Sequence, residues 1–272
     1  MFIFSNLKDL HEWRQKLEGN LGFVPTMGAL HKGHTSLIRE SLKQNDFTIV
    51  SIFVNPLQFS AQEDLSKYPQ TLTADLEICR SEKVTAVFLP NISEIYPSKL
   101  ITKIVPPAEL VNCLCGLSRA GHFEGVLTIV LKLFNLVSPH KAYFGEKDYQ
   151  QLLLINKMVS DLNLNIQIIA MPIIRAESGL ALSSRNQYLS SAEQLEASKL
   201  YTILQKAQSL ILEGQPIKIT INSLKEQFTE INFEYFEVRH PETLQTTETL
   251  PAHLFIAAKI GSARLIDNLK IF

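Results

Sequence analysis

The decapeptide Pro25-Thr26-Met27-Gly28-Ala29-Leu30-His31-Lys32-Gly33-His34 carries the most pointed chemistry in the chain. His31 and His34 are three apart, a spacing that puts both imidazoles on one face of a first helical turn. Two donors aimed at one place can stabilise charge that builds on phosphate oxygens as one bond to an α-phosphorus forms and another breaks. The apolar run Leu21–Val24 leads in and a helical pattern over Ser36–Leu42 leads out, so the order is buried strand, glycine turn, helix start. A helix N-terminus offers backbone N–H groups and a positive dipole end to an anion. Gly28 and Gly33 lack side chains, so a triphosphate can approach the backbone closely. The alternative is a βα turn with a capping histidine. Zinc fits poorly, because it takes about three or four Cys, His or carboxylate ligands.

Three further sets of polar side chains follow apolar runs. Phe47–Val54 is continuous and β-branched, as in a strand covered on both faces, and it runs into Asn55 and Gln58. Polar groups just past the carboxyl end of such a strand are placed to bind a ligand, or they are the capping amides of a proline turn. Lys141–Gly145 leaves into Glu146, Lys147, Asp148 and Gln151. There Lys147 can meet phosphate as a point charge, and Asp148 can cap or bind magnesium through water. Ser183, Ser184 and Arg185 make a possible oxyanion clamp. Arg119 and His122, ahead of the apolar helix Val126–Val137, are either surface and cap or an anion-facing loop. No GxxxxGK[ST] P-loop occurs.

The elements that must position these groups alternate. Strands are expected at 21–24, 47–54, 86–89, 101–105, 141–145 and 166–170, and residues 2–4 read as a short strand or the entry to a helix. Helices fall between them, including Leu7–Leu17 and the segment containing Leu72, Leu76 and Cys79. Gln62–Asp64 and Ser66–Thr71 read as loop. This alternation predicts an α/β fold with a doubly wound parallel sheet. Composition shifts near Glu177: two amphipathic helices (192–212, 219–228) precede strands at 233–238, 254–258 and 264–269. The expected division is therefore 1–176 and a smaller α+β domain, 177–272.

The 272 residues carry a net charge of -1, which gives no electrostatic case for nucleic acid or an anionic membrane. The start, MFIFSNLKDLHEW, lacks the basic region of a signal peptide, and no run approaches the ~20 apolar residues of a membrane span. Cys79, Cys113 and Cys115 are too few and too unevenly spaced for a disulfide framework or zinc site, so they read as packing residues in a reducing cytoplasm.

PTMGALHKGH, SIFVNPLQF, RAGHFEGV, KLFNLVSPHKAYFGEKDYQQL and GLALSSRNQYLS stand in this order. Together they resemble the pantoate–β-alanine ligase (pantothenate synthetase) family, within the HxGH nucleotidylyltransferase superfamily, from about Gly22 to Ser190 and more loosely over the whole chain. The resemblance implies that ATP adenylates pantoate, releasing pyrophosphate, and that β-alanine then attacks the pantoyl adenylate to give pantothenate and AMP. It also implies magnesium, a Rossmann-like N-terminal domain, a smaller C-terminal lid and a homodimer. Met27, Gly28, Ala29, Leu30, His31, Lys32, Gly33 and His34 would lie along the ATP, with His34 as proton donor and His31 and Lys147 acting beside it. Gly145, Glu146, Lys147, Asp148, Ile174, Leu182, Ser183, Ser184 and Arg185 would also bind ATP. Gln58 and Gln151 would hold pantoate, Gln58 would also lie near β-alanine, Asn55 would position its neighbours, and Asp75 would touch magnesium. No covalent nucleophile is needed, because the pantoate carboxylate attacks phosphorus while the protein orients reactants and neutralises charge. Two positions depart from the family pattern. Ala120 replaces a proline, which should loosen that turn, and Ser178 replaces an aspartate. Another HxGH nucleotidylyltransferase and a non-catalytic nucleotide-binding module are the alternatives; Gln58 and Gln151 oppose the first, since a phosphorylated substrate would call for more cationic side chains.

Overall fold

Leu21, Phe23, Val24, Ile49 and Val50 are fully buried, as expected of strands with helices on both faces. The computed structural model describes residues 1–59, 65, 68–98 and 102–272. The elements run β1 (Phe2–Phe4), α1 (Leu7–Gln15), β2 (Leu21–Thr26), α2 (Lys32–Gln44), β3 (Phe47–Ile52), α3 (Leu72–Ser81), β4 (Ala86–Phe88), and the short α4 (Ile92–Ile95), α5 (Ala108–Val111) and α6 (Cys115–Ser118). Then come α7 (His122–Val137), β5 (Lys141–Gly145), α8 (Tyr149–Asp161) and β6 (Gln167–Met171). They are followed by α9 (Ser191–Leu212), α10 (Ile217–Gln227), β7 (Asn232–Arg239), β8 (Ala252–Ile260) and β9 (Ala263–Ile271).

The chain forms two compact units. The first holds Met1–Pro107, Cys115–Glu146 and Gln150–Pro172; the second holds Ala108–Leu114, Lys147–Tyr149 and Ile173–Phe272. In the first, six strands lie in the order β1-β4-β3-β2-β5-β6, and every pairing is parallel. Side chains of a strand alternate between faces, and β2 shows the consequence. The Phe23 ring meets Phe134 of α7 at 6.3 Å, whereas Val24 joins Leu37 and Ile38 of α2 and Cys79 of α3 in the opposite core. Successive strands from β2 step outward to β3 and β4, while β5 returns to the other side of β2. The sheet therefore changes direction between β2 and β5, and ligands of such sheets bind beyond the carboxyl ends of the strands at that point. Met27 and Glu146 are the first residues past those two ends.

In the second unit β7, β8 and β9 form an antiparallel sheet. One apolar core joins Leu200, Ile203 and Leu204 of α9 and Leu224 of α10 to Leu254 and Ile256 of β8.

The expected strand at 101–105 is not formed within the described residues: Thr102–Val105 are irregular. The Ile104 N–H donates instead to Thr128 Oγ1 at 3.0 Å. Ile101, Gln62–Asp64, Ser66 and Lys67 lie outside the described residues. All three cysteines are buried and none is in a disulfide. Burial pushes the Cys79 thiol up to about 12, which keeps it protonated and inert. No helix among the described residues is long and apolar enough to cross a membrane.

Candidate active site

Between β2 and α2 the chain makes a turn that only small residues permit. Gly28 has φ 83° and Ala29 φ 51°, and a Cβ on Gly28 would come within 3.0 Å of Asp75 Oδ2. The Asp75 carboxylate, 1% exposed, accepts the Ala29 N–H at 3.0 Å and the Leu30 N–H at 2.7 Å. Thr71 Oγ1 donates to it at 3.2 Å. The Gly28 N–H donates to Thr26 Oγ1. The two histidines then cap α2 reciprocally: His31 Nδ1 accepts the Gly33 N–H at 3.1 Å, and His34 Nδ1 accepts the His31 N–H at 3.3 Å.

The turn's own hydrogen bonds bear on two expectations. The sequence predicts a turn that offers its backbone N–H groups to phosphate, but those of Gly28, Ala29, Leu30, His31 and Gly33 are bonded to side chains of the same chain. The glycines serve the turn itself; a Cβ on Gly33 would meet the His31 ring at 2.8 Å. Asp75, expected at magnesium, has both oxygens on the chain's own donors. Among the described residues no group of three or more His, Cys, Asp or Glu could hold a metal ion.

The side-by-side arrangement of the imidazoles, with ring centroids 4.1 Å apart, makes the donors explicit. A neutral imidazole that accepts at Nδ1 carries its proton on Nε2. Both rings are thus set as Nε2–H donors.

From β3, Asn55 begins a 3₁₀ turn over Pro56–Gln58. Asn55 is 1% exposed and fully engaged. Its Oδ1 accepts from Leu57 N–H at 3.3 Å and Tyr96 O–H at 2.9 Å; its Nδ2 donates to Gly125 O at 3.1 Å and Gln58 Oε1 at 3.3 Å. Burial pushes the Tyr96 hydroxyl up, so it remains a donor across the working pH range. The Gln58 side chain reaches Met27 Sδ at 2.7 Å, joining this turn to the histidine loop. His122 holds the Gln58 main chain. Arg119 Nη1, a donor only, contacts His122 Nε2 at 2.7 Å, so His122 Nδ1–H donates to Gln58 O at 2.7 Å. Arg119 and His122 thus brace the Gln58 turn, a role in neither sequence reading. The turn they belong to is closed by His122 N–H to Arg119 O at 3.1 Å, without the proline that Ala120 replaces.

Sequence reasoning missed Tyr96, Thr71 and Gly125. Only Gly125 left a signal, as a glycine directly ahead of the apolar run Val126–Val137. A Cβ there would lie 2.2 Å from Leu57 O and 2.6 Å from Gln58 N, both backbone atoms that cannot swing aside. Gly125→Ala is expected to displace the 55–58 turn and to lower stability by about 1–3 kcal/mol, the usual cost of forcing extra volume against packed neighbours. A urea unfolding midpoint would check this; an unchanged midpoint would show that the turn accepts the added methyl group.

Gly145 ends β5, Glu146–Asp148 form a 3₁₀ turn, and Gln151, half-buried, stands on the first turn of α8. Its neighbour Gln150 accepts the Cys115 N–H at 3.0 Å. In the second unit Lys147 Nζ lies 3.7 Å from Asp148 Oδ2, with the lysine side chain 18% exposed. Ile174 and Leu182 close a small hairpin, Leu182 N–H to Ile174 O at 2.9 Å. Ser183 then caps the 3₁₀ turn Ser184–Tyr188, its Oγ accepting the Arg185 N–H at 3.3 Å and its own N–H donating to Asn186 Oδ1. Here too the N–H groups of Ser183 and Arg185 are spent within the loop. The groups this loop can bring to an anion are its hydroxyls and the Arg185 guanidinium. The described geometry brings Met27–His34 together with Asn55, Gln58 and Asp75 in the first unit, and Ile174 together with Leu182–Arg185 in the second.

The family model for pantoate-β-alanine ligase matches residues 2–270. The chain belongs to the pantoate–β-alanine ligase family. It is 49% identical over 270 residues to a bifunctional pantoate ligase/cytidylate kinase of Synechococcus elongatus, covering 96% of this chain and 51% of that protein. The chain thus spans about half the length of that curated relative. The crystal structure of pantothenate synthetase from Thermus thermophilus is 39% identical and covers 100% of both chains with a TM-score of 0.94. That of pantoate-β-alanine ligase from Francisella tularensis, complexed with β-γ ATP and β-alanine, is 40% identical, with a TM-score of 0.86 over 99% of this chain and 97% of that one. The six-stranded parallel sheet and the small antiparallel sheet are therefore the family fold.

Proposed function

We propose that this chain is an ATP-dependent ligase that joins pantoate to β-alanine through pantoyl adenylate. The observation that carries the reading is the pair of Nε2–H imidazoles, locked by reciprocal capping at the carboxyl end of β2, where the sheet changes direction. Family membership and the ATP and β-alanine in the Francisella structure support it.

In the first step a pantoate carboxylate oxygen attacks the α-phosphorus and pyrophosphate leaves. In the second the β-alanine amine attacks the acyl carbon, AMP leaves, and the amine loses a proton. His31 and His34 donate to phosphate oxygens as charge moves onto them. Residues Met27–His34 follow the nucleotide, as do Gly145–Asp148, Ile174 and Leu182–Arg185, with Lys147 and Arg185 answering phosphate charge. Gln58 and Gln151 hold pantoate, and a site built to hydrogen-bond a hydroxyl rejects analogues that lack it. Gln58 also lies near β-alanine, and Asn55 positions it. Magnesium enters with ATP as part of the substrate. It prefers phosphate oxygens and water over an all-protein cage, which suits a chain whose nearest candidate, Asp75, is committed to backbone N–H groups. A homodimer in the cytoplasm completes the proposal, supported by the family resemblance and by three cysteines outside any disulfide.

Incubation with ATP, pantoate and β-alanine tests it. AMP and pantothenate should form together, with pantoate-dependent pyrophosphate exchange when β-alanine is withheld. Consumption of ATP independent of β-alanine, with no exchange, would overturn the reading. Gln151→Ala should raise the pantoate KM by about 10–100-fold, the worth of one hydrogen bond to a charged group, with the ATP KM little changed. Equal losses for both substrates would move Gln151 out of the pantoate site.

A further inference from the structure

The second unit hides two adjacent polar residues in a sheet strand. Asp267 is 4% and Asn268 5% exposed, and polar groups so buried are costly without hydrogen-bond partners. Consecutive residues of a strand face opposite sides, so each serves a different neighbour. Asp267 takes Arg175 in a two-pronged ion pair, at 2.5 and 2.9 Å. Arg175 stacks 3.7 Å above the Tyr201 ring and donates to Gly179 O, inside the hairpin that delivers Ser183–Arg185. Asp267 Oδ1 also accepts the Asn268 N–H at 2.8 Å, fixing the strand where its neighbour begins work.

On the opposite face, Asn268 Nδ2 donates to the main-chain carbonyl of Lys147 at 3.0 Å, and Asn268 Oδ1 accepts from His253 Nε2 at 2.8 Å. The Lys147 carbonyl settles which way the amide lies, because only the NH₂ can donate to it, and the Asn268 oxygen then faces a protonated His253 Nε2. Tyr149 packs on the His253 ring, 4.1 Å between centroids, so the Lys147–Tyr149 segment is held at both ends. We propose that Asn268, oriented by His253, is a positioning residue: it fixes the Lys147 carbonyl and with it the point from which the lysine side chain departs toward nucleotide phosphate. The inference rests on the nucleotide role assigned to Lys147 above. A displacement of about 1 Å at such a group costs on the order of 10²-fold in rate.

A double-mutant cycle separates positioning from plain stability, because residues acting through one another are not additive. Asn268→Ala should lower kcat/KM for ATP in pantoate-dependent exchange by about 10–100-fold and leave the pantoate KM unchanged. In a Lys147→Ala background the same substitution should cost less than about twofold. Should Asn268→Ala fail to fold, Asn268→Asp keeps the volume and the bond from His253 while losing the donor to Lys147 O, and is expected to show the same pattern. Equal losses in both backgrounds, or a raised pantoate KM, would overturn the proposal. If wild-type protein shows no exchange, the function reading fails. The cycle is then read in ATP affinity by calorimetry, where a loss confined to the Lys147 background supports positioning and an equal loss refutes it.

Discussion

His34→Ala is expected to slow pantoate-dependent pyrophosphate exchange by about 10²–10³-fold, the usual cost of one lost donor to developing charge. The substitution also removes an acceptor, since His34 Nδ1 takes the His31 N–H. Losing a cap of this kind costs about 1 kcal/mol, small against a typical stability of about 5–15 kcal/mol, so the fold survives. His34→Gln separates the two roles. Glutamine at the third helical position can still bond back to the residue that starts the helix, so the urea midpoint should return to within error of wild type. The rate should stay at least about tenfold low, because the donor has moved off the position of the imidazole Nε2. His31→Ala should slow exchange to a similar degree, since its ring is the other donor and receives the Gly33 N–H. An exchange rate unchanged in either alanine variant would remove that histidine from the chemistry.

The sheet is legible in the sequence because its signals are additive along the chain. Phe47–Val54 reads as a covered strand because nearly every residue is apolar or β-branched, and its first six residues, Phe47–Ile52, form one. Helix starts are less legible where the cap is unusual. The periodic pattern places α2 at Ser36, but the helix begins at Lys32 because His31 supplies the N-cap. Likewise α7 begins at His122, four residues before its apolar run, with Gly121 at φ 77° leading in. The apolar run at 101–105 predicts a strand, yet Thr102–Val105 are irregular, because a short apolar run says nothing about whether a neighbour is present to pair with it. In the site, the residue types of the HxGH loop were legible but the use of its amides was not. Asp75 is 45 residues from the Leu30 N–H it accepts, and Gln58 is 64 residues from His122. No local pattern announces either bond. Each exists because the sheet brings distant loops to the same strand ends.

Asp75→Ala is expected to have the largest effect on stability, about 2–5 kcal/mol, read as a lower urea midpoint. Burial sets the size: Ala29 and Leu30 are 8% and 9% exposed, and their N–H groups have the carboxylate as acceptor. Removing it leaves two buried donors, at about 1–3 kcal/mol each. Ala29 sits at φ 51°, a left-handed conformation that costs about 1–2 kcal/mol in a residue with a Cβ. Without Asp75 nothing offsets that cost, so the turn relaxes and carries His31 and His34 with it. Exchange activity should therefore fall about as far as in His34→Ala, through the Ala29 and Leu30 N–H groups that Asp75 holds. Asp75→Asn recovers only part of the loss, because one of its two polar atoms is an NH₂ facing an N–H. The same pair of variants distinguishes an anchor from a metal ligand. An anchor lowers the urea midpoint and leaves the magnesium concentration for half-maximal exchange where it was. A metal ligand raises that concentration and leaves the midpoint unmoved, and this second pattern would sink the anchoring role assigned to Asp75.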